Sequence, residues 1–234
     1  MNRILLRIFD ECTLKKSNIS SIISLLYNIY VFYKMSEYDL KTGDLILYCN
    51  GGCNPISGLI KYFTNSKYTH IAMVLKDPDF IDIPLKGYYI WESNWEGTPD
   101  PQDNDIKFGV QITPFDEIYD KYKQSKGSIY IRRINCNQDT FSKENLEKIH
   151  KIVYDKSYDY YPTDIIEALE KDDIKPQRTD HFWCSALVGY IYTQSKILNS
   201  DTDWSIMRPC DFSANQQNLN LINNATLDEE IKIL

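Results

Sequence analysis

The sequence predicts an α+β fold with an antiparallel sheet, because strand-like and helix-like segments occupy different parts of the chain. From about residue 44 to residue 134, short runs rich in β-branched and aromatic residues are bounded by turn residues, which is the pattern of strands. After residue 134, apolar residues recur three or four positions apart, as on one face of a helix. Strands followed by helices are typical of α+β domains.

Five runs in the first part of the chain are predicted to be strands. These runs are DLILYC from Asp44, YTHIAMVLK from Tyr68, YYIWES from Tyr88, FGVQIT from Phe108 and SIYIRRI from Ser128. Residues 95–107, between the third and fourth runs, contain Pro, Gly, Asp and Asn. This composition predicts a loop there.

Four segments of the main domain are predicted to be helices. The first, residues 55–65, begins with a proline, a residue favoured at the first helical position. The second opens at Ser142 and places apolar residues at helical spacing; they are Leu146, Ile149, Ile152 and Val153. The third begins at Pro162, and the fourth contains Cys184.

The predicted domain organisation is a main domain at residues 36–215, an apolar helical extension at residues 1–35 and a polar tail at residues 216–234. The extension contains acidic residues and has no small-residue cleavage site, so we expect that it is not a secretory signal. Its apolar part, SIISLLYNIYVFYKM, is shorter than the ~20 residues of a spanning helix. We expect a helix docked on the protein, or one that contacts a membrane surface through residues 19–34.

Composition and charge argue against a general nucleic-acid binder. The 234 residues are 43% hydrophobic and 25% charged, as in ordinary soluble globular proteins. The formal net charge is −7, whereas a nucleic-acid-binding protein normally carries a basic patch or stripe. We therefore expect no nucleic-acid partner.

The six cysteines predict reduced thiols and an intracellular, non-secreted protein, because their spacing shows no tight disulfide framework. Cys49 and Cys53, in CNGGC, are the one close pair. A zinc site would need a second matching pair, and the sequence has none among its isolated cysteines and three histidines. We expect a glycine-rich turn at CNGGC and neither a metal nor another cofactor.

Cys184 lies near the start of the segment DHFWCSALVGYIYTQ, whose apolar residues follow helical spacing. Asp180 is the expected N-cap residue. Cys184 would then lie in the first turn, where unpaired backbone N–H groups and the helix dipole favour an anion. A thiol in that place has a lowered pKa and is a candidate nucleophile. The alternative is a small apolar residue that fills the core.

His70 and Glu92 are the candidate partners of a catalytic thiol. His70 lies in an otherwise apolar strand, where a buried imidazole is costly unless it has a partner. Glu92 stands between Trp91 and Ser93 at a predicted strand end, where its carboxylate could fix the tautomer of an imidazole. The alternatives are a satisfied core histidine and a solvated edge carboxylate.

The order of several motifs carries a family resemblance. The motifs TGDLILY, SGLIKYFTNSKYTHIAMVL, WES, GVQITPF, YDYYPTDII and FWCSALVGYIY follow one another between about Thr42 and Ser213. This order is similar to that of the circularly permuted NlpC-type papain-like family, which includes bacterial permuted amidase-like proteins and predicted poxvirus relatives. There the histidine strand precedes the cysteine helix. Ala186 departs from the family's common F.CSELV motif, which has Glu at that position.

The resemblance implies that Cys184 is the nucleophile, that His70 is the general base and that Glu92 orients His70. It also implies a partly barrel-like antiparallel sheet packed against the helix that carries the cysteine. The reaction would be hydrolysis or acyl transfer at an amide or ester bond of a peptide or lipid, through a thioester. The backbone N–H of Cys184 would help to hold the oxyanion.

Two further expectations concern the substrate site and the source of the protein. The loop 95–107 and nearby aromatic residues are candidates to line an apolar cleft; these residues are Trp91, Trp95, Phe108 and Trp183. The alternative is that the aromatic side chains belong to the core or to an interface. A viral origin would place the protein in the host cytoplasm or the virion. The alternative function is a non-catalytic papain-like module for protein contacts or structure, for example in a virus particle.

Overall fold

The computed structural model describes residues 38–49, 66–159, 177–216 and 219–234. Those from Leu40 onward belong to one compact unit. They contain an eight-stranded, mostly antiparallel sheet and three α-helices, so the predicted α+β class is confirmed. Several predictions lie outside the described residues, namely the N-terminal extension with its membrane-contact residues 19–34, the helices at 55–65 and from Pro162, and Cys53.

The main sheet has its longest strands at its centre. Its strands are β1 (Leu45–Cys49), β2 (His70–Lys76), β3 (Tyr88–Pro99), β4 (Ile106–Pro114), β5 (Ser128–Arg132), β7 (Ser157–Tyr158), β8 (His181–Phe182) and β10 (Ile231–Lys232). Their order is β10-β5-β1-β2-β3-β4-β7-β8. All neighbours are antiparallel except β7 and β8, which are parallel. Two short strands, β6 (Ile134–Asn135) and β9 (Thr226–Leu227), pair separately.

In the described part of the chain, three α-helices accompany the sheet: α1 (Phe115–Gln124), α2 (Lys143–Val153) and α3 (Cys184–Gln194). Short 3₁₀ helices span Gln138–Phe141, Trp204–Ile206 and Pro209–Phe212. The predictions of α2 and α3 are confirmed, whereas α1, between β4 and β5, was not predicted. The order "strands first, helices second" is therefore only approximate.

Both faces of the central strands are buried. One alternating set of strand side chains packs with α3 into the main core; it includes Leu45, Leu47, Ile71, Met73 and Trp91. The other set, which includes Ile46, Ala72, Val74 and Ile90, is also buried. Helix α1 contacts β3, β4 and β5, and its Tyr122 ring lies 4.6 Å from the ring of Tyr48 on β1. This coverage explains why the central strands read as continuous apolar runs.

The turn before β1 is fixed by the Gly–Asp pair of TGDLILY. Gly43 has φ +103°, and an added Cβ would lie 2.1 Å from the Phe141 ring, so only glycine fits. The buried Asp44 carboxylate accepts the backbone N–H groups of Lys41 at 2.8 Å and Ile134 at 3.0 Å. The Tyr192 hydroxyl of α3 donates to the Gly43 carbonyl at 2.7 Å. These bonds tie β1, β6 and α3 together.

The prediction of a loop at residues 95–107 is wrong. Strand β3 continues to Pro99 and β4 begins at Ile106, so the connection covers only residues 100–105. Its turn residues are held by the buried Asp100, whose carboxylate accepts from the Lys107 ammonium at 3.0 Å. A register shift between Trp95 and Pro99, with Gly97 at φ +76°, accommodates the extra residues. Glycine and proline here mark a bulged strand rather than its end.

The predicted polar tail at residues 216–234 contributes to the fold. Strand β10 extends the main sheet, because Ile231 pairs with Ile131 of β5. Strand β9 pairs with β6 through Leu227 and Ile134. Strands of two residues are too short for a periodic signal, which is why the sequence did not predict them.

Candidate active site

Cys184 is the first residue of α3, with 7% of its surface exposed. The N-cap residue is Trp183, so the prediction of Asp180 as N-cap is wrong. The short strand β8 lies between Asp180 and the helix, and the Asp180 carboxylate instead contacts Nδ1 of His181 at 3.0 Å. No acidic residue occupies the first turn of α3. The thiol therefore meets the positive end of the helix dipole without a competing carboxylate.

His70 opens β2 and lies between two partners. Its Nε2 is 2.7 Å from Oε2 of Glu92, and the Cys184 thiol lies close enough to the ring for each to shift the pKa of the other. Because Nε2 faces the carboxylate, Nδ1 is the ring nitrogen left for the sulfur. The imidazole is 8% exposed, and the ring of Tyr48 lies 5.2 Å from it. The three residues predicted from the sequence are thus brought together in one buried group.

Glu92 is buried in the middle of β3, not solvated at a strand edge. It is 1% exposed, and its second oxygen accepts a hydrogen bond from the Thr113 hydroxyl at 3.1 Å. Continuing the register that pairs Met73 with Trp91 places Glu92 on the face of the sheet that also carries His70. Both carboxylate oxygens are therefore engaged, and the carboxylate is held against the imidazole.

Charge interactions within this group favour the ionised forms. Burial alone would raise the pKa of the Cys184 thiol. The positive charge of the nearby His70 ring outweighs this effect, helped by the backbone N–H groups of Ile71 and Ser185, so the pKa of the thiol lies below its usual value. Burial alone would lower the pKa of His70. The negative charge of the Cys184 thiolate, followed by that of Glu92, has the opposite and larger effect and raises the pKa of His70 to about 10. The arrangement therefore favours a thiolate–imidazolium pair near neutral pH.

These two pKa shifts affect stability in opposite directions. The raised pKa of His70 stabilises the fold fully below its unfolded value of ~6.5, and this contribution is lost as the pH rises toward about 10. The lowered pKa of Cys184 stabilises the fold fully above its unfolded value of ~8.5, and this contribution is lost as the pH falls. Between ~6.5 and ~8.5 the two slopes have opposite signs, and above ~8.5 only the loss from His70 remains, so the contribution of the pair declines as the pH rises toward about 10.

The other two histidines are engaged elsewhere. His150 of α2 is partly buried, and its Nε2 lies 2.6 Å from the Gln102 side-chain oxygen. Burial lowers the pKa of His150. His181 lies between the carboxylates of Asp159 and Asp180, at 3.3 Å and 3.0 Å. His70 is therefore the histidine that the fold presents to Cys184.

A second carboxylate near the site was not predicted. Glu96, four residues after Glu92 on β3, has its pKa raised by burial and by the charge of Glu92. The Lys121 ammonium of α1 lies 2.6 Å from it and acts in the opposite direction. Glu92 and Glu96 show the even spacing of residues on one strand face, but this signal was lost because the predicted strand ended before residue 96.

The four aromatic residues expected to line a cleft occupy different environments. Trp91 is fully buried and packs against the Phe80 ring in the main core, and Trp183 is 8% exposed, so neither forms an open surface. Trp95 and Phe108 are 55% and 47% exposed and contact each other. The prediction fails for Trp91 and Trp183 because their side chains fill the interior beside α3.

Comparison with known proteins gives no family assignment: no protein-family model matches the chain, and no curated protein is significantly similar to it. Within residues 38–49, 66–159, 177–216 and 219–234, no group of three or more His, Cys, Asp or Glu side chains is arranged to hold a metal ion. In the same part of the chain, no helix is long and apolar enough to cross a membrane. The four described cysteines form no disulfide, and they are Cys49, Cys136, Cys184 and Cys210.

Proposed function

We propose that this protein is a cysteine-dependent hydrolase or acyltransferase that acts on an amide or ester bond through a thioester. The observation that carries the proposal is the buried contact series from Cys184 to His70 to Glu92. A nucleophile, a base and a group that orients the base are what acyl transfer by a thiol requires. Burying all three in an interior made only for stability would be costly.

The proposed reaction begins with attack of the Cys184 thiolate on the acyl carbonyl carbon. The backbone N–H of Cys184, which the helical ladder does not use, can stabilise the oxyanion. As the bond to the leaving group breaks, the imidazolium of His70 donates its proton to the departing nitrogen or oxygen. Neutral His70 then removes a proton from water or another acceptor, which attacks the thioester; the acyl product is released and the thiolate–imidazolium pair is regenerated.

The proposed fold family is the circularly permuted NlpC-type papain-like family. The supporting feature is the chain order, since the strand with His70 precedes the helix with Cys184 by more than a hundred residues. The packing of α3 on β2 and β3 also fits this family. The contacts of α1 with β3, β4 and β5 fit a strongly curved sheet. The substitution at Ala186 leaves the proposed nucleophile unchanged.

The test is capture of the thioester. Wild-type protein is mixed with small libraries of acyl amides and acyl esters, quenched in acid and analysed by mass spectrometry for an acyl adduct on Cys184. We expect an adduct with the wild type, none with Cys184→Ala, and strongly reduced formation with His70→Ala. Failure of every acyl donor to modify Cys184 would support the alternative, a non-catalytic papain-like module.

A further inference from the structure

An exposed apolar surface lies on the arm formed by the ends of β3 and β4. The described residues include seven large hydrophobic side chains that are exposed. Three of them lie on this arm: Trp95, Ile106 and Phe108, which are 55%, 56% and 47% exposed. Trp95 pairs with Phe108 across the strands, and their ring centroids are 6.1 Å apart. Ile106 and Phe108 alternate with the buried Lys107, so they project from the same face of β4.

This surface continues toward Cys184. The Phe108 ring stacks on Tyr158 of β7, with centroids 5.1 Å apart and planes 15° apart. Tyr158 pairs with Phe182 of β8, two residues before Cys184. The pKa of Tyr158 is raised mainly by burial and, in addition, by the negative charge of Cys184. The phenol of Tyr158 therefore lies within electrostatic reach of the sulfur. We call Trp95, Ile106, Phe108 and Tyr158 the apolar strip.

The charged side chains of the arm point away from the apolar strip. The Lys107 ammonium is held between the carboxylates of Asp100 and Asp103, at 3.0 Å and 2.5 Å, on the opposite face of β4. Glu96, next to Trp95 and therefore on the other face of β3, pairs with Lys121. The apolar strip itself consists of aromatic and aliphatic side chains, which supply no ionic partner of their own to a charged peptide and suit a hydrocarbon chain.

The arm is also tied to the rest of the fold at its tip. The Tyr154 hydroxyl of α2 donates to the Asp103 carboxylate at 2.5 Å, and His150 contacts Gln102. A surface fixed in this way loses little conformational entropy when a ligand binds. Apolar residues left exposed on a fixed surface are characteristic of binding sites.

We propose that the apolar strip binds the hydrocarbon part of an uncharged acyl group and directs its carbonyl carbon toward Cys184. The acyl donor would then be an ester or amide of a medium-length or longer aliphatic acid. This inference rests on the proposed function and narrows its substrate to the aliphatic acyl class. Burial of each methylene on such a surface corresponds to about two- to fourfold in affinity.

The test uses p-nitrophenyl esters with acyl chains of two, four, six, eight and ten carbons, each below its micelle concentration. For the wild type we expect kcat/KM to rise about two- to fourfold per methylene over part of the series. Trp95→Ser and Phe108→Ser should each reduce the ratio of decanoyl to acetyl kcat/KM by about tenfold. Ile83→Ser removes an apolar side chain that is 62% exposed outside the strip, and it should leave the ratio unchanged.

Two results would overturn the inference while leaving the proposed function intact. One is a wild-type enzyme that hydrolyses the acetyl ester at Cys184 without any dependence on chain length. The other is a chain-length dependence that Ile83→Ser reduces as much as Trp95→Ser does. If no ester is hydrolysed and no adduct forms on Cys184, the proposed function fails and the inference fails with it.

Discussion

Replacing Glu92 with glutamine should lower the pKa of His70, because it removes the negative charge beside the ring while retaining an oxygen that can accept from Nε2. The two side chains are 2.7 Å apart and almost fully buried. Opposite unit charges ~4 Å apart at an effective dielectric constant of ~20 interact by about 4 kcal/mol. That corresponds to ~3 pKa units, at the upper end of the ~1–3 units seen for such pairs.

The assay is an NMR titration of the imidazole protons, which is tractable because the chain has three histidines. His150→Gln and His181→Gln identify the His70 signal. In the wild type we expect a pKa of about 10, and in Glu92→Gln a value lower by ~1–3 units. Cys184→Ala should lower the pKa of His70 by more than Glu92→Gln does, because the thiolate raises that pKa more than Glu92 does.

A matched control separates the contact from the general charge of the strand. Glu96→Gln also removes one negative charge from β3, but Glu96 pairs with Lys121 and has no hydrogen bond to His70. It should shift the His70 titration less than Glu92→Gln does. If Glu92→Gln left the titration where it is in the wild type, the reasoning from the contact to the pKa would be refuted.

Two further predictions concern stability. The free energy of unfolding of the wild type minus that of Cys184→Ala should be larger near pH 8 than near pH 5, because the thiol ionises at a lower pH in the fold than in the unfolded chain, and it should fall above ~8.5 as His70 loses its proton. Chemical denaturation across pH 5–10.5 measures this difference, and a difference that rises steadily through the whole range would contradict the sign argument. Asp44→Ala should lower the free energy of unfolding, measured in urea, by about 2–4 kcal/mol, because two backbone N–H groups lose their acceptor. A loss below ~0.5 kcal/mol would show that these N–H groups find other partners.

The sequence predicted the central strands well because their residues are apolar on both faces and their ends carry turn residues. His70 and Cys184 could be proposed from local chemistry, one as an imidazole in an apolar strand and the other as a thiol at a helix start. Their proximity could not, because 114 positions separate them and strand order is not a local property. The order of motifs supplied that expectation, and the mutual pKa shifts of the thiol and the imidazole, which require the two groups to be close, agree with it.

The failures have local physical causes. The predicted strand β3 was cut short because Gly97 and Pro99 are normally turn residues, whereas here they lie in a bulge next to the connection that the contact of Asp100 with Lys107 holds. Cutting the strand hid Glu96 from the analysis of the site. Asp180 was assigned as N-cap because a two-residue strand between it and the helix gives no sequence signal.

Helix α1 was missed for a related reason. Its polar and charged residues outnumber the four that are buried, Phe115, Ile118, Tyr119 and Tyr122, and it follows Pro114 directly. Proline there fits equally well a loop after a strand or the residue before a helix. The tertiary contact of Tyr122 with Tyr48 decides between them, and such a contact is invisible in the sequence.

The most direct test of the central claim, that His70 activates Cys184, is site-resolved alkylation at pH 6 with a limiting amount of iodoacetamide. At pH 6 an ordinary thiol of pKa ~8.5 is only ~0.3% ionised, so a fully ionised Cys184 has up to ~300 times more of the reactive thiolate. The lower intrinsic nucleophilicity of a low-pKa thiolate offsets part of this advantage. Cys136, whose pKa is raised by burial, is the internal reference. We predict that peptide mass spectrometry finds Cys184 labelled first in the wild type and that His70→Ala removes the preference. Equal labelling of the six cysteines, or a preference that survives His70→Ala, would contradict the account.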